Sequence, residues 1–307
     1  MASIGAPAAG FRLGIDLGGT KIAGVVLDRA GVAVAETRVA SPQNDYAATI
    51  EAIAGVVAAL EQRLGAEASI GIGMPGAISP RTGLVQNANS TWLNAKPLDR
   101  DVAARLGRPI RFANDANCFA LSEAMDGAAA GAGSVFGVIL GTGCGGGLVV
   151  GGRLVDGPRG IGGEWGHNPL PWASGDEHPG PHCWCGRRGC LETWISGTGL
   201  AADHARATGR VLSAAEVAAR AAAGDAAAMA ALARHADRLA RGLAHVINIA
   251  DPEVVVLGGG LSQLDHLYAD VPRLIAPHIF ADDPAIDLRR PRWGDASGVR
   301  GAARLWP

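Results

Sequence analysis

Apolar positions along the chain change period several times, and each change marks an element. Leu13 to Asp28 reads as a strand, a tight Gly18-Gly19 turn and a return strand, Ile22-Ala23-Gly24-Val25-Val26-Leu27. Val135 to Leu154 repeats the scheme, with Val135-Phe136-Gly137-Val138-Ile139-Leu140, the turn Gly141-Thr142-Gly143, and Gly147-Leu148-Val149-Val150. Each pair is extended, the first by Gly31 to Ala40 and the second by Arg153 to Val155. Two related β-meanders in one chain predict two halves of similar build facing each other. Ile50, Ile53, Val57, Leu60 and Leu64 then recur at helical spacing, as do Leu232, Leu239, Leu243, Val246 and Ile247 before Asp251-Pro252. Strands at Ser69 to Met74, Pro109 to Ala113 and Glu253 to Leu257 run into Pro75-Gly76, Asn114-Asp115 and Gly258-Gly259-Gly260. A helix is expected from Asp115 to about Ala129, and a last one from about Gly298 to Leu305. Strand–helix alternation predicts α/β layers with a mainly parallel sheet beyond the meanders.

At 307 residues the chain has room for one large α/β domain or two ordinary ones. A net charge of −2 offers no basic field for nucleic acid or an anionic membrane. Met1 to Gly10 has no basic residue and no apolar stretch of leader length. The uncharged run from Gly127 to Gly152 is long enough to raise a membrane question. Its many glycines make it two strands around a turn instead. A soluble, cytoplasmic protein is expected. Cys118 and Cys144 read as small buried residues.

The chemistry concentrates between Glu164 and Glu192. Glu164-Trp165-Gly166-His167 is followed by Cys183-Trp184-Cys185-Gly186-Arg187-Arg188-Gly189-Cys190-Leu191-Glu192. One imidazole and three thiols in a loop rich in Gly and Pro suit a structural Cys3His zinc site, with a carboxylate placed at each end. A disulfide is the alternative, and a cytosolic chain rarely keeps one. The loop is also long for a compact domain, which points to function or a metal.

Gly141-Thr142-Gly143-Cys144-Gly145-Gly146 fits a dinucleotide fingerprint, but that fingerprint needs a helix next. Gly147-Leu148-Val149-Val150 is a strand instead, so the Rossmann reading fails. No Gly-Lys-Ser/Thr closes a glycine run, so the P-loop is absent too. Tight glycine turns hold phosphate another way, with backbone N–H groups around an anion. Gly18-Gly19-Thr20-Lys21 adds a hydroxyl and a cation to one such turn, and Gly141-Thr142-Gly143 offers a second from the other half. Asp16, just before the first turn, is placed to hold Mg2+ through water. Asn114-Asp115-Ala116-Asn117 begins a helix, where Asp and Asn are favoured N-caps. The same position, at a strand's carboxyl end, also suits a carboxylate that accepts the proton of an attacking hydroxyl.

Leu13 to Lys21, Asn114 to Asn117, Gly141 to Gly143, Gly163 to His167 and Cys183 to Glu192 together resemble the ROK family of sugar kinases and repressors. The resemblance covers nearly the whole chain. It implies a two-domain actin/hexokinase-type (ribonuclease H-like) fold, with ATP and a hexose in the cleft. The implied domains are 1–114 with a C-terminal helix at about 295–307, and 115–294 carrying the zinc loop. It further implies Asp115 as general base and sugar contacts from Gly76, Asn114, Glu164, His167 and Glu192. Zinc would be held by His167, Cys183, Cys185 and Cys190. Nucleotide and phosphate contacts would come from Gly18, Gly19, Thr20, Lys21, Gly141, Thr142, Gly143, Gly258, Gly259 and Gly260, and a homodimer is the family expectation. Within the family, Asn87 to Asn94, Gly166 to Trp172 and Gly298 to Pro307 look most like fructokinases. Transfer of a phosphoryl group from ATP to D-fructose, with mannose as a second substrate, is therefore the expected reaction. An N-acetylglucosamine kinase or a glucokinase is the alternative. A sugar-responsive repressor is disfavoured, because the first phosphate turn falls within twenty residues of Met1 and leaves no room for a DNA-binding module.

Overall fold

The computed structural model describes residues 10–306. Pro307 and all but the last residue of Met1 to Gly10 fall outside that range. Two five-stranded sheets carry the fold, and they share one plan. In the first, β1 (Arg12–Leu17), β2 (Lys21–Leu27) and β3 (Ala33–Ala40) form an antiparallel meander, and β4 (Ser69–Met74) joins β1 in parallel. A small hairpin of β5 (Ala77–Ile78) and β6 (Val85–Gln86) follows, and β7 (Ile110–Asn114) extends the sheet in parallel beyond β4. In the second, β8 (Ser134–Leu140), β9 (Cys144–Val150) and β10 (Arg153–Leu154) repeat the meander, with β11 (Val254–Gly258) and β12 (Leu288–Arg289) parallel beyond β8. The expected duplication is thus present strand for strand. Every residue of β4 is buried, as a central parallel strand covered on both faces requires. The outer strand β3 is mostly exposed and carries Glu36 and Arg38, charges that discourage edge pairing.

Nine α-helices of the described residues cover these sheets: α1 (Tyr46–Leu64), α2 (Leu98–Leu106), α3 (Asp115–Met125), α4 (Glu192–Ile195), α5 (Gly197–Thr208), α6 (Ala214–Ala222), α7 (Ala226–Ala250), α8 (Asp265–Ile275) and α9 (Ser297–Ala303). The two longest helices, α1 and α7, lie where the apolar spacing predicts them. Asp45 caps α1 by accepting Ala48 N–H at 2.9 Å, and Gly65 ends it in the left-handed region. α3 stops at Met125 rather than near Ala129. The buried Glu123 carboxylate accepts Ala128 N–H at 2.7 Å and Ser297 Oγ–H at 2.7 Å, which turns the chain away through Gly127. The same carboxylate ties the start of α9 to the end of α3.

α9 lies on β1 and β4 of the first sheet, and α3 lies on β8 and β9 of the second. The two helices pack on each other and join the sheets. Their contact depends on glycine: a Cβ at Gly301 would sit 1.7 Å from the Cys118 carbonyl oxygen on α3. Gly301→Ala must therefore push the helices apart. Overpacking of this kind costs about 1–3 kcal/mol, sometimes more. A loss of less than about 0.5 kcal/mol in the unfolding free energy from urea titration would show that the crossing gives way easily.

The segment from Val155 to Leu191 has only short turns of helix, as the sequence suggested. Two anchors hold it. One is the thiol–imidazole cluster described below. The other is Glu177, which accepts hydrogen bonds from Arg238 Nε and Arg241 Nη2 on α7, both at 2.8 Å. Burial alone would raise the Glu177 pKa, but Arg241 and Arg238 outweigh it and hold the carboxyl down at about 2. No helix among the described residues is long and apolar enough to cross a membrane.

Candidate active site

β1, β4 and β7 run parallel, so their carboxyl ends share one edge of the first sheet. That edge presents the Gly18–Thr20 turn, Pro75-Gly76 and Asn114-Asp115. β8 and β11 are also parallel, and their carboxyl ends present Gly141–Gly143 and Gly258–Gly260 side by side. Ligands of open α/β sheets bind beyond such ends. A cavity of about 270 Å³ opens there, and Gly76, Asn114, Asp115, Gly141, Thr142, Gly143, Glu164 and Glu192 all line it. Residues from both sheets thus meet at one site. Asp16, Gly18, Gly19, Thr20, Lys21 and Gly258 to Gly260 stand at the same sheet edges but outside this cavity.

Asn114 takes the helix-capping role. Its Oδ1 accepts Ala116 N–H at 2.9 Å, and its Nδ2–H reaches the Gly76 carbonyl at 3.1 Å. Gly76 itself has φ +69, and a Cβ there would meet Gln86 O at 2.3 Å, so only glycine closes this contact. With capping done by its neighbour, Asp115 Oδ1 accepts Ala116 N–H at 2.8 Å, and among the described residues no side chain donates to its Oδ2. Burial first, then the nearby Asp16 and Glu164 charges, push the Asp115 pKa up to about 6 against the pull of the Ala116 N–H. A carboxylate poised near neutrality on a cavity wall is equipped to take a proton.

The two glutamates differ. Glu192 is held on both oxygens: Trp184 Nε1–H donates to Oε1 at 2.7 Å and Cys144 N–H to Oε2 at 3.0 Å. Glu164 is set mainly by its surroundings, and burial raises its pKa, with Glu192 adding to the rise and His167 opposing it. Gly143 serves the site in a way the sequence did not suggest. A Cβ there would sit 2.6 Å from Glu192 Oε2, so the bare turn is what lets that carboxylate in. Thr142 and Gly143 keep their N–H groups free of backbone partners, whereas Gly141 N–H is spent on Gly143 O at 3.0 Å. Two N–H donors of this turn, those of Thr142 and Gly143, are therefore left without a backbone partner among the described residues. Asp16, at the end of β1, has its pKa raised by burial, with Lys21 and Arg38 opposing the rise. Lys21 is the first residue of β2 rather than part of the turn, and its carbonyl accepts Gly18 N–H at 3.0 Å.

His167, Cys183, Cys185 and Cys190 bring their ligand atoms within 4.8 Å of one another. Cys183 Sγ lies 3.6 Å from His167 Nδ1, and Cys185 Sγ lies 3.6 Å from Cys190 Sγ. A tetrahedral zinc with the usual Zn–S and Zn–N lengths places neighbouring donors roughly 3.6–3.8 Å apart. The donor set fits zinc, and no cysteine is in a disulfide. The residues that line the cavity do not include His167. Its ring meets the Trp184 ring edge-on at 4.9 Å, and Trp184 is the residue that reaches the cavity. Trp184, Asn87 and Asn89 were not singled out as site residues. For Trp184 the available signal was its place between two metal-type cysteines.

The family profile of ROK matches residues 12–307. The chain belongs to the ROK family. It is 40% identical over 296 residues to an N-acetyl-D-glucosamine kinase of Photobacterium profundum, covering 95% of this chain and 98% of that one. A Salmonella gallinarum enzyme of the same name is 41% identical over the same coverage. Among solved structures, the ROK hexokinase from Thermus thermophilus superposes with a TM-score of 0.85 at 35% identity, covering 95% of this chain and 96% of that one. A ROK glucokinase from Streptomyces griseus, in complex with glucose and AMPPNP, gives 0.78 at 29% identity over 96% and 99%. These neighbours establish the actin/hexokinase-type fold for this ROK protein. The relatives favour N-acetylglucosamine over the fructose expected from subfamily cues, and the positions of those cues explain why. Asn94 only brackets the Ala88 N–H and C=O, both at 2.9 Å. Trp92 donates to Thr49 at 3.3 Å, and Trp172 stacks on His278. Residues from Gly298 onward belong to or follow α9 on the first sheet. Most of these positions belong to the scaffold, while Asn87 and Asn89 of the first segment line the cavity.

Proposed function

We propose that this chain is an ATP-dependent kinase of N-acetyl-D-glucosamine, forming the 6-phosphate. The observation that carries the reading is Asp115, a carboxylate with one oxygen that accepts from no described side chain, on a cavity wall between two glycine turns of the duplicated sheets. The names of the relatives choose the sugar. In this reading the lobes are residues 1–114 with 295–307, and 115–294, and the sugar lies between them. Asp115 accepts the proton of the attacking hydroxyl, while Asn114, Glu164 and Glu192 fix the ring and Gly76 bounds it. Thr142 and Gly143, with Gly18 to Lys21 and Gly258 to Gly260, surround the phosphates of ATP. Asp16 would hold Mg2+ through water, and the ion would neutralise phosphate charge. His167, Cys183, Cys185 and Cys190 would hold zinc, whose contribution is to fix the loop. Dependence on ATP and reduced thiols suits the cytoplasm, and a homodimer is the working assembly.

A coupled ADP-release assay across N-acetylglucosamine, fructose, mannose, glucose and N-acetylmannosamine tests the assignment. The highest kcat/KM is expected with N-acetylglucosamine; a tenfold preference for fructose would restore the fructokinase reading. The pH dependence follows from Asp115. The base works only when ionised, and its pKa is raised to about 6. kcat/KM should therefore fall about tenfold per pH unit below 6 and level off above about 7. An acid limb centred near 4 would show that another group governs it.

A further inference from the structure

Glu192 is set from two sides, and only one of them is ordinary backbone. Cys144 N–H comes from the start of β9 and is fixed by the sheet. Trp184 Nε1–H comes from a side chain that is 61% exposed on a loop with no regular element of its own. Such a donor would ordinarily sample several rotamers in water, and the rotamer entropy lost in holding it counts against a fixed contact. Two features constrain Trp184. It lies between Cys183 and Cys185, whose sulfurs are both in the donor cluster, so its backbone is gripped on each side. Its ring also meets the edge of the His167 ring at 4.9 Å.

We propose that Trp184 is a positioning residue for the sugar: it fixes the Glu192 carboxylate through its indole N–H, and the flanking metal-type cysteines fix Trp184 itself. The inference rests on the reading that the cavity takes a sugar. It gives the thiol–imidazole cluster a route to the sugar through Trp184, which lines the cavity, in addition to any contact His167 makes. A hydrogen bond to a charged group is stronger than a neutral one, so its loss should be measurable in binding. Without the indole donor, Glu192 keeps one anchor and can swing about its side-chain torsions.

Trp184→Phe keeps an aromatic ring beside His167 and removes only the donor. In the zinc-loaded enzyme, calorimetry should show N-acetylglucosamine binding weakened about tenfold or more. ADP binding, zinc content by atomic spectroscopy and Tm should be unchanged, and in turnover the sugar KM should rise while the ATP KM stays put. An unchanged sugar Kd overturns the proposal. So does a fall in zinc content or Tm that accompanies the weaker binding, because Trp184 would then act by holding the loop together. Failure of the wild-type enzyme to bind any of the five sugars would instead overturn the functional reading and leave the two failures distinct.

Discussion

Asp115→Asn should lower kcat by about 10²–10⁴-fold, the range a positioned base contributes, while sugar affinity changes little. Asn114 makes this a clean experiment. The cap of α3 rests on Asn114 Oδ1, so the helix keeps its start when the neighbouring carboxylate is removed. Thermal stability supplies a second readout of the same group, and its sign is fixed by the direction of the shift. The Asp115 pKa in the fold, about 6, lies above its ordinary value because burial disfavours the charge. Its contribution to stability is then full below the ordinary carboxylate pKa and is lost as pH rises through 6. At pH 8 the wild-type enzyme carries an ionised group its surroundings disfavour, and Asn does not. The variant should therefore melt higher than wild type at pH 8, with the gap closing toward pH 4. A kcat loss of less than about tenfold would remove Asp115 as the base.

Much of this site was legible because parallel strands announce themselves twice. The apolar runs of β1, β4, β7, β8 and β11 are short and β-branched, and each ends in a residue type with its own chemistry: Gly18, Pro75, Asn114, Gly141, Gly258. Strand ends collect at one edge by topology alone, so naming the strands nearly named the cleft. Helices built on alanine were not legible. α6 buries only Val217 among a run of alanines, so few large apolar side chains mark its inner face. Contacts through backbone or a single long side chain were equally silent. Gly143 reads as a phosphate turn, yet its lack of a Cβ also admits Glu192. Trp184 reads as a spacer between two cysteines, yet its indole N–H holds that same carboxylate. Glu177, the second anchor of the long loop, is marked in the sequence only by its local capping box with Ser174; its partners Arg238 and Arg241 lie more than sixty residues away on α7. The names of the relatives support the alternative sugar better than fructose, and of the motifs used to choose fructose only Asn87 and Asn89 line the cavity.

Cys185→Ser should lose most of its bound metal and weaken sugar binding by at least tenfold, with nucleotide binding spared. Cys185 is the most suitable ligand to remove, because Cys183 and Cys190 are buried and a hydroxyl there would introduce an unpaired polar group as well. Its sulfur is one of four donors within 4.8 Å of one another, two pairs of which stand at 3.6 Å, the spacing of a tetrahedral ion. A hydroxyl binds zinc far less well than a thiolate, so the remaining three donors lose most of their grip. The loop retains Glu177 on α7, and the fold as a whole should survive. What moves is the far end, where the chain leaves the cluster through Cys190 and Leu191 directly into Glu192 at the start of α4. The Cys190 carbonyl also accepts the Thr193 hydroxyl at 2.7 Å, so displacement of Cys190 passes into the first turn of that helix. The turns proposed to hold the phosphates lie on β-strand ends outside the loop; of these, Gly141–Gly143 touches the path, through Cys144 N–H on Glu192 and Gly197 N–H on the Gly141 carbonyl, and is itself held by the β8–β9 hairpin. Zinc content, calorimetric Kd for N-acetylglucosamine and Kd for ADP measured on one preparation decide the matter. Full zinc together with a wild-type sugar Kd would mean that the cluster is not a metal site coupled to the pocket.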